Sequence, residues 1–529
     1  MPEKVLASID IGTNSFHLVV AKADDEGIVK ILTKDKEVVR LGKGTSEMKY
    51  LTPEAMDRAI TVLKRFKLIC DSYNAEIRAV ATSATREALN RDVFLNRVIN
   101  ETGIHVEVVS GYEEARLIYL GLLMALPVFD KQILMIDIGG GSTEFLIGKK
   151  GNVVYAHSIK IGAVRLTEKY FKTAELFTDK NKKENVENAR VFVRSILNPV
   201  VRRLKGFTYE NVIGTSGTIL NIGSIIYTAK KNSSEPLKSE QFNFNNFTYT
   251  ADQLSEAVKI IIKSGTSGRT FGNISKIEGL DPSRTDIITA GAIILEQIFS
   301  ELNLKEITVS TFALREGILL DTIDKEHSTL DSEDLRNVRY RSVVNLAKHC
   351  NYDEPHARQI YRFAVKIFDT LKDTFRLDEK DKEYIEAACL LHDIGHSISH
   401  TQHHRHSYYL IRNSELLGFN DEEIEIIANI ARYHRKSHPK EKHNEFEKLN
   451  PGNKEKVKML AGILRIADGL DRGHSANVQN IQLSISGKVY KIGVLAEDSK
   501  DVTLEIWGVN MRKELFEEVF GYTAEITQV

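Results

Sequence analysis

Two segments of this chain repeat each other at a spacing typical of a duplicated domain. DIGTNSFHLVV (10–20) and DIGGGSTEFLI (137–147) share Asp, Ile, Gly and Ser at equivalent positions, at an offset of 137 − 10 = 127 residues. Apolar residues on both sides of each segment predict a glycine turn between two strands. Such a turn lets successive backbone N–H groups converge on an anion, and glycine permits the close approach. The repeat therefore predicts two phosphate-binding turns, with a pair of ordinary hairpin turns as the alternative.

Further motifs accompany the repeat in a characteristic order. The series runs SIDIGTNSFHLVV, ATSATREA, SGYEEARL, IDIGGGSTE, GTSGT and ALREG. The paired turns resemble the actin, sugar kinase and heat-shock chaperone ATPase superfamily, in which two related α/β domains share one cleft. The whole series is similar to the exopolyphosphatase and guanosine pentaphosphate phosphohydrolase family. This resemblance implies hydrolysis of the terminal phosphate of inorganic polyphosphate, and it leaves open whether guanosine pentaphosphate is a second substrate.

The resemblance and the residue pattern together predict four domains. Two α/β domains, 1–125 and 126–322, would be actin-like (ribonuclease H-like) and would enclose the shared cleft. Residues 324–334 are charged and lack apolar periodicity, which predicts a linker. An all-α, HD-like domain (330–478) and a small α+β domain (479–529) would follow.

Local patterns add expectations about single elements. Residues 481–485 and 502–506 alternate apolar and polar side chains, which predicts two strands in the last domain. Residues 515–520 carry apolar side chains at helical spacing and predict a helix after them. Residues 283–295 are also predicted to be helical, and the Asn-, Ser- and Lys-rich stretch 229–249 is interpreted as a surface insertion.

The resemblance assigns the catalytic chemistry to four side chains. Glu114, in SGYEEAR, would be the general base that polarises the attacking water, with a helix N-terminal acid as the alternative. Arg86 would bind a phosphoryl group, because its planar guanidinium matches two phosphate oxygens at once. Asp137 and Glu144 flank the second turn, and their oxygen atoms suit Mg²⁺ or Mn²⁺. Water would attack the terminal phosphoryl group in line, without a covalent intermediate.

Phosphate binding is predicted for the two turns and for the third glycine turn, in VIGTSGTIL (212–220). Helix capping is the alternative at this third turn, and Arg315, in ALREG, is interpreted as a structural contact. The predicted phosphate-binding residues are Asp10, Thr13, Asn14, Ser15, Gly139, Gly140, Gly141, Ser142, Thr143, Ser216, Gly217 and Thr218.

The helical region carries the H…HD…D order of the HD phosphohydrolase superfamily. Its members here are His356, His392, Asp393 and Asp468. Imidazole and carboxylate together suit a divalent transition metal. The resemblance also points to His406 and His434, which lie where two-metal HD proteins carry further ligands. The alternatives are a helical bundle with hydrogen-bonded core histidines, and a basic surface that binds a polyanion.

Overall charge and termini restrict the possible partners. Lys and Arg total 72 and Asp and Glu total 73, a net charge of −1, so any polyanion site must be local and no nucleic-acid partner is expected. No apolar run reaches the length of a membrane span, and the first residues do not form a secretion signal. The three isolated cysteines predict neither disulfides nor a thiolate metal site. A cytoplasmic location is predicted, and the resemblance implies a homodimer.

Three alternative functions stay open at this point. The main activity could reside in the HD-like domain, as a nucleotide phosphohydrolase with the N-terminal half as a polyphosphate or alarmone sensor. The chain could instead be a regulator that binds an alarmone without hydrolysing it. The third alternative is an actin-like ATPase or a sugar kinase, although no sugar pocket is recognisable in the sequence.

Overall fold

The computed structural model divides the chain into two compact units, Met1–Val338 and Arg339–Val529. The boundary lies close to the predicted linker, most of which falls outside the described residues, as does the middle of the predicted surface insertion. The residues that the structure describes are 4–23, 29–43, 49–171, 179–232, 244–264, 271–327, 338–414, 416–496 and 500–529.

The first sheet of unit 1 has five strands in the order β3-β2-β1-β4-β5. β1 pairs antiparallel with β2, and β4 runs parallel to β1 on the other side. Helices cover the sheet, and the helix Pro53–Ser72 begins after Thr52, because the Thr52 side chain accepts from the N–H of Ala55. The strands are β1 (Lys4–Ile11), β2 (Ser15–Ala23), β3 (Val29–Val38), β4 (Glu76–Ala81) and β5 (Val106–Val108).

The second sheet repeats this arrangement. Its order is β10-β11-β9-β6-β7-β8, in which β6, β7 and β8 form an antiparallel meander and β9 runs parallel to β6. The central strand of each sheet therefore ends in the glycine turn that the sequence repeat predicts. The strands are β6 (Ile133–Ile138), β7 (Thr143–Lys149), β8 (Asn152–Ile159), β9 (Asn211–Thr215), β10 (Thr248–Thr250) and β11 (Glu306–Val309).

Helices pack against both sheets of unit 1. The helix predicted for 283–295 begins later, at Ile288, after a single 3₁₀ turn, Pro282–Arg284. None of the helices in the described part of the chain combines the length and apolar character that a bilayer crossing requires. The helices are Pro53–Ser72, Ser83–Glu87, Arg91–Thr102, Gly111–Ala125, Ala163–Tyr170, Asp179–Leu204, Ser216–Asn232, Ala251–Ser264, Ile288–Leu302 and Leu314–His327.

Unit 2 combines a helical body with a three-stranded sheet on one continuous hydrophobic core. Its sheet consists of β12 (Val478–Ser486), β13 (Val489–Ala496) and β14 (Thr523–Gln528), in that order. The helices are Val338–His349, Glu354–Phe375, Glu379–Leu391, His403–Arg412, Asp421–Arg432, Asn444–Glu447, Pro451–Gly469, Thr503–Asn510 and Glu514–Phe520.

One predicted strand of unit 2 is wrong. Residues 502–506 lie at the start of the helix Thr503–Asn510, whereas the helix predicted for 515–520 is present. Val502, Glu505 and Val509 are buried and recur at helical spacing, while Leu504 is 49% exposed. A window of five residues is too short to separate a period of two from a period of 3.6, so tertiary packing decided the outcome.

Candidate active site and candidate metal centre

The two glycine turns of unit 1 open onto a single cavity of about 240 Å³. They also contact each other: a Cβ atom added to Gly140 would lie 3.1 Å from Cβ of Thr13. A Cβ atom on Gly141 would lie 2.8 Å from Oγ1 of Thr13. Side chains at these glycines would push the turns apart, so the second turn needs glycine for close approach. The structure thus brings the repeated segments together, as the sequence predicts.

Most of the predicted residues line this cavity. Some residues that were predicted to contact phosphate or metal do not line the wall, although the structure describes them. They are Arg86, Thr143, Glu144 and Thr218. The predicted residues on the wall are Asp10, Thr13, Asn14, Ser15, Glu114, Asp137, Gly139, Gly140, Gly141, Ser142, Ser216 and Gly217.

Three carboxylates share the wall, and a fourth lies behind it. Burial, reinforced by Glu114, raises the pKa of Asp10 to about 8 and that of Asp137 to about 7. Burial also raises the pKa of Glu144 well above its ordinary value, with repulsion from Glu114 and Asp137 as further causes. Mutually repelling carboxylates in a buried site are stabilised by a bound cation.

The carboxylate of Glu114 faces the cavity from the first turn of the helix Gly111–Ala125. Its Oε2 accepts a hydrogen bond from Nη1 of Arg86 at 2.8 Å. Burial raises the pKa of Glu114, whereas Arg86 opposes this shift. Burial is the larger of the two effects. Arg86 contacts the predicted base, so its position supports a role in holding Glu114 more than direct phosphate binding.

Asp137 and Glu144 are paired across β6 and β7. Oδ2 of Asp137 accepts from the hydroxyl of Ser216 at 2.5 Å, and Oε1 of Glu144 accepts from Ser158 at 2.7 Å. Oε2 of Glu144 is buried without a hydrogen-bond partner. This oxygen-rich set fits a hard divalent cation such as Mg²⁺, with Asp137 on the cavity side and Glu144 behind it.

Part of the wall is basic, and the sequence analysis missed most of this part. Lys36, Arg284 and Arg315 all line the cavity. Arg284 is 8% exposed, and its Nε has no hydrogen-bond partner among the described residues. A Cβ atom on Gly217 would overlap the Arg284 guanidinium. Glycine at this position therefore makes room for a buried cation, which is the signal that could have pointed to Arg284.

His17 connects the basic wall to the first turn. It pairs with Asp10 across β1 and β2, the position that Glu144 holds in the second sheet. Nη1 of Arg315 lies 3.0 Å from Nδ1 of His17, and Nε2 of His17 lies 2.9 Å from Oγ of Ser15. Because arginine can only donate, Nδ1 of His17 accepts and Nε2–H donates to Ser15. The Ser15 hydroxyl hydrogen is then left to point into the cavity.

Several imidazole rings of unit 2 lie around the carboxylate of Asp393, namely those of His356, His392, His396, His403 and His434. Nε2 of His403 and of His434 lie 3.2 and 3.5 Å from Oδ1 of Asp393. Ligand atoms of His356, His392 and Asp393 all lie within 4.8 Å of one another. The order of residues along the sequence therefore corresponds to one cluster in space.

Hydrogen bonds orient each ring of this cluster. Nδ1 of His356 donates to the carboxylate of Asp471 at 2.8 Å. Nδ1 of His392, His403 and His434 each donate to a backbone carbonyl oxygen. Nε2 of His356 and of His392 therefore keep free lone pairs, which is how proteins prepare imidazole for metal binding, whereas Nε2 of His403 lies 3.1 Å from Nη1 of Arg435.

The cluster fits a divalent transition metal. Nε2 of His356 and of His392 and Oδ1 of Asp393 are buried without a hydrogen-bond partner, a costly arrangement for polar atoms that bind nothing. Oδ1 of Asp468, the last predicted ligand, lies 3.9 Å from Nε2 of His356. Imidazole and carboxylate donors of this kind suit zinc, manganese or iron.

His406 does not join this cluster, and His403 takes the place expected for it. The helix His403–Arg412 buries His403, His404, Ser407 and Ile411. Oγ of Ser407 donates to the carbonyl of His392 at 2.6 Å and fixes this face against the cluster. His406 lies off that face and is only partly buried, so its metal contact stays a prediction.

Paired α/β sheets that meet at two glycine turns define unit 1 as an actin-like core. The family model described as the Ppx/GppA phosphatase family matches residues 19–326, more than half of the 529 residues. The model for domain III of the same family matches residues 338–510. The chain therefore belongs to the Ppx/GppA phosphatase family and is a phosphatase-type hydrolase.

The chain is also similar to solved structures. A crystal structure of an exopolyphosphatase from Cytophaga hutchinsonii is 29% identical, covers 61% of this chain and 98% of its own, and has a TM-score of 0.54. The Aquifex aeolicus member of the family is also 29% identical, over 62% of this chain and 99% of its own, with a TM-score of 0.49. An exopolyphosphatase-like protein is 24% identical over 61% of this chain and 99% of its own, at a TM-score of 0.53.

Proposed function

We propose that the chain is an exopolyphosphatase that releases the terminal phosphate of inorganic polyphosphate. The observation that carries this proposal is the single cavity in which two glycine turns, the Glu114 carboxylate and the buried Arg284 guanidinium face one another. A chain of phosphoryl groups is the substrate class whose repeated negative charge suits these donors and cations. Guanosine pentaphosphate shares the same terminal group, and we keep it as a second substrate to be tested.

In the proposed reaction the turns hold the terminal phosphoryl group through backbone N–H groups and the hydroxyls of Thr13 and Ser15. Glu114 accepts a proton from water, whose oxygen attacks the phosphorus atom opposite the bridging oxygen. The bond between phosphorus and the bridging oxygen breaks, and the shortened chain leaves with that oxygen. Arg284 and Arg315 neutralise the negative charge of the phosphate chain. Catalysis comes mainly from positioning and electrostatics.

A divalent cation, Mg²⁺ or Mn²⁺, would be held by Asp137 on the cavity side, with Asp10 across the turns. Glu144, the other predicted ligand, stays a prediction, because its carboxylate lies behind the wall. When bound, the cation would neutralise charge on the phosphoryl oxygens. The raised pKa values of Asp10 and Asp137 are what such a site requires in the absence of its ion.

The test is phosphate release from polyphosphate and from guanosine pentaphosphate, in parallel, with Mg²⁺ and with Mn²⁺. We expect Glu114→Gln to lower kcat about 100-fold or more, a typical contribution of a general base. Glu113→Gln is the matched control, because Glu113 pairs with Arg116 instead of facing the cavity. Equal losses in both variants, or release from neither substrate by the wild type, would refute the proposal.

A second candidate function rests on the histidine cluster of unit 2. We propose that His356, His392, Asp393 and Asp468 bind a divalent transition metal in an HD-like domain. The buried, unpartnered Nε2 atoms of His356 and His392 favour this over a bundle of ordinary core histidines. A protein carrying His392→Ala and Asp393→Ala, assayed beside Glu114→Gln, separates the two sites. If only the cluster variant loses phosphate release, the active site belongs to unit 2 and the first cavity is a sensor.

The remaining alternatives have their own outcomes. Tight binding of guanosine pentaphosphate without phosphate release at any metal concentration would identify a non-catalytic regulator. Rapid ATP turnover that is indifferent to polyphosphate would identify an ATPase or kinase. The homodimer and the cytoplasmic location stay predictions.

A further inference from the structure

Two guanidinium groups touch the histidine cluster of unit 2, and the proposed metal binding gives them no role. Nη1 of Arg435 donates to Nε2 of His403 at 3.1 Å. Nη1 of Arg512 contacts Oδ2 of Asp468, and the two side chains are 13% and 6% exposed. Both arginines are therefore half-buried and bonded to different members of one cluster.

The fold holds these arginines in place from two directions. Arg465, in the helix Pro451–Gly469, donates to the backbone carbonyls of Tyr433 and Lys436, which fastens the segment that carries Arg435. On the other side, a Cβ atom on Gly508 would lie 2.9 Å from the carbonyl oxygen of Gly469.

This close packing of the glycines in the helices Pro451–Gly469 and Thr503–Asn510 has a consequence for Arg512. Arg512 lies just after the helix Thr503–Asn510. The contact between the two helices therefore brings its guanidinium to Asp468, at the end of the helix Pro451–Gly469. A segment distant in sequence from the histidines therefore contributes a cation to their cluster.

The charge arrangement points to an anionic ligand. Arg435 and Arg512 are like charges in one partly buried place, where Arg512 is paired with Asp468 and Arg435 contacts a neutral imidazole. An anionic ligand would balance the charge of Arg435, which has no carboxylate bonded to it in the cluster contacts described above. A guanidinium presents parallel N–H groups that match two oxygens of a tetrahedral oxyanion. Two guanidiniums and a divalent cation can share the three terminal oxygens of one phosphoryl group.

We propose that Arg435 and Arg512 bind the phosphoryl group of a phosphate ester or anhydride at the cluster of unit 2. This is a phosphoryl site separate from the cavity of unit 1. The proposal extends the metal-binding role proposed for unit 2 and does not depend on hydrolysis of polyphosphate in unit 1.

The only tryptophan of the chain provides a local probe. Trp507 is 53% exposed, and its carbonyl accepts from the N–H of Met511, next to Arg512. In the full-length protein, we expect its fluorescence to change saturably on addition of inorganic pyrophosphate. Parallel titrations with inorganic phosphate and with guanosine pentaphosphate distinguish a free phosphate from a nucleotide as the source. Each titration is run with and without Mn²⁺.

Arg435→Met and Arg512→Met test the two side chains, because methionine keeps much of the stem and removes the charge. We expect each to weaken pyrophosphate binding about 10-fold or more, the loss typical of a hydrogen bond to a charged group. Arg376→Met, an exposed arginine of the same unit, is the matched control and should stay within twofold.

Three outcomes would overturn the proposal. One is unchanged pyrophosphate affinity in both variants, and another is binding that needs Mn²⁺ but neither arginine. The third is an unresponsive Trp507 together with a single phosphoryl site per chain by calorimetry. If Arg512→Met lowers Tm by more than a few degrees, Arg435→Met alone decides. Failure of polyphosphate hydrolysis would leave this result untouched, because Trp507 reports binding and not turnover.

Discussion

The hydrogen bonds from Arg315 through His17 to Ser15 lead to a sharp prediction. The distances of 3.0 and 2.9 Å and the donor-only character of arginine determine the direction of both bonds. Burial, with Arg315 as a further cause, lowers the pKa of His17 well below its ordinary value, so the ring stays neutral. The Ser15 hydroxyl is therefore held as a donor toward the phosphoryl group. Removal of the histidine should act through Ser15 alone.

The magnitude follows from the charge of the acceptor. A hydrogen bond to a charged group contributes about 1.5–3 kcal/mol, so Ser15→Ala should lower kcat/KM for polyphosphate about 10- to 150-fold. His17→Phe should remove part of the same hydrogen-bond energy, since it frees the Ser15 hydroxyl to rotate. We expect this variant to lower kcat/KM about 5- to 50-fold. In the Ser15→Ala background, the further loss on His17→Phe should be less than about threefold.

A double-mutant cycle measures this dependence. The assay is kcat/KM for phosphate release from polyphosphate by the four proteins, with Tm measured for each. His157→Phe, at an exposed histidine of β8, is the control for removing an imidazole from a strand. Losses that multiply, instead of overlapping, would show that His17 acts independently of Ser15 and would refute the reasoning.

Three further predictions concern the rest of the two sites. Gly217→Ala should raise KM for polyphosphate about 10-fold by displacing Arg284, and adding Arg284→Met should cause little further change; multiplicative effects would contradict this. Because the pKa values of Asp10 and Asp137 are raised to about 8 and about 7, the folded metal-free protein binds these protons more tightly than the unfolded chain. Its Tm should fall as pH rises from about 4 to 8, and Mg²⁺ should raise Tm more at pH 8 than at pH 6. His403→Ala should lower bound Mn²⁺ or Zn²⁺ in metal analysis, whereas His406→Ala should retain the wild-type content.

The predictions that succeeded rest on short-range patterns. Each phosphate turn is a glycine-rich segment between two apolar strands, and all of its information lies within about a dozen residues. The repeat at an offset of 137 − 10 = 127 then indicates two copies of the same unit. Because identical local patterns adopt identical local structure, β1–β2 and β6–β7 could be predicted in advance.

Sequence patterns predict less where the surroundings of a residue depend on which face of a helix packs inward, or on a segment far away along the chain. His403 and His406 are chemically equivalent in the sequence, and only the packing of Ser407 against His392 selects the face that carries His403. The sequence pattern of residues 502–506 is compatible with either a strand or a helix. The burial of Val502 and Val509 on one side of the segment favours the helix.

The sequence by itself predicted the two glycine turns, the acid at Glu114 and most of the histidines and acids that form the cluster around Asp393. Only the tertiary structure decided which cations face each site, because Arg284 and Arg512 reach them from segments far away along the chain. Such contacts depend on how helices and sheets pack. That packing depends on the apolar residues of the entire chain. No local motif therefore shows which charged side chain the packing will bring to a given cavity.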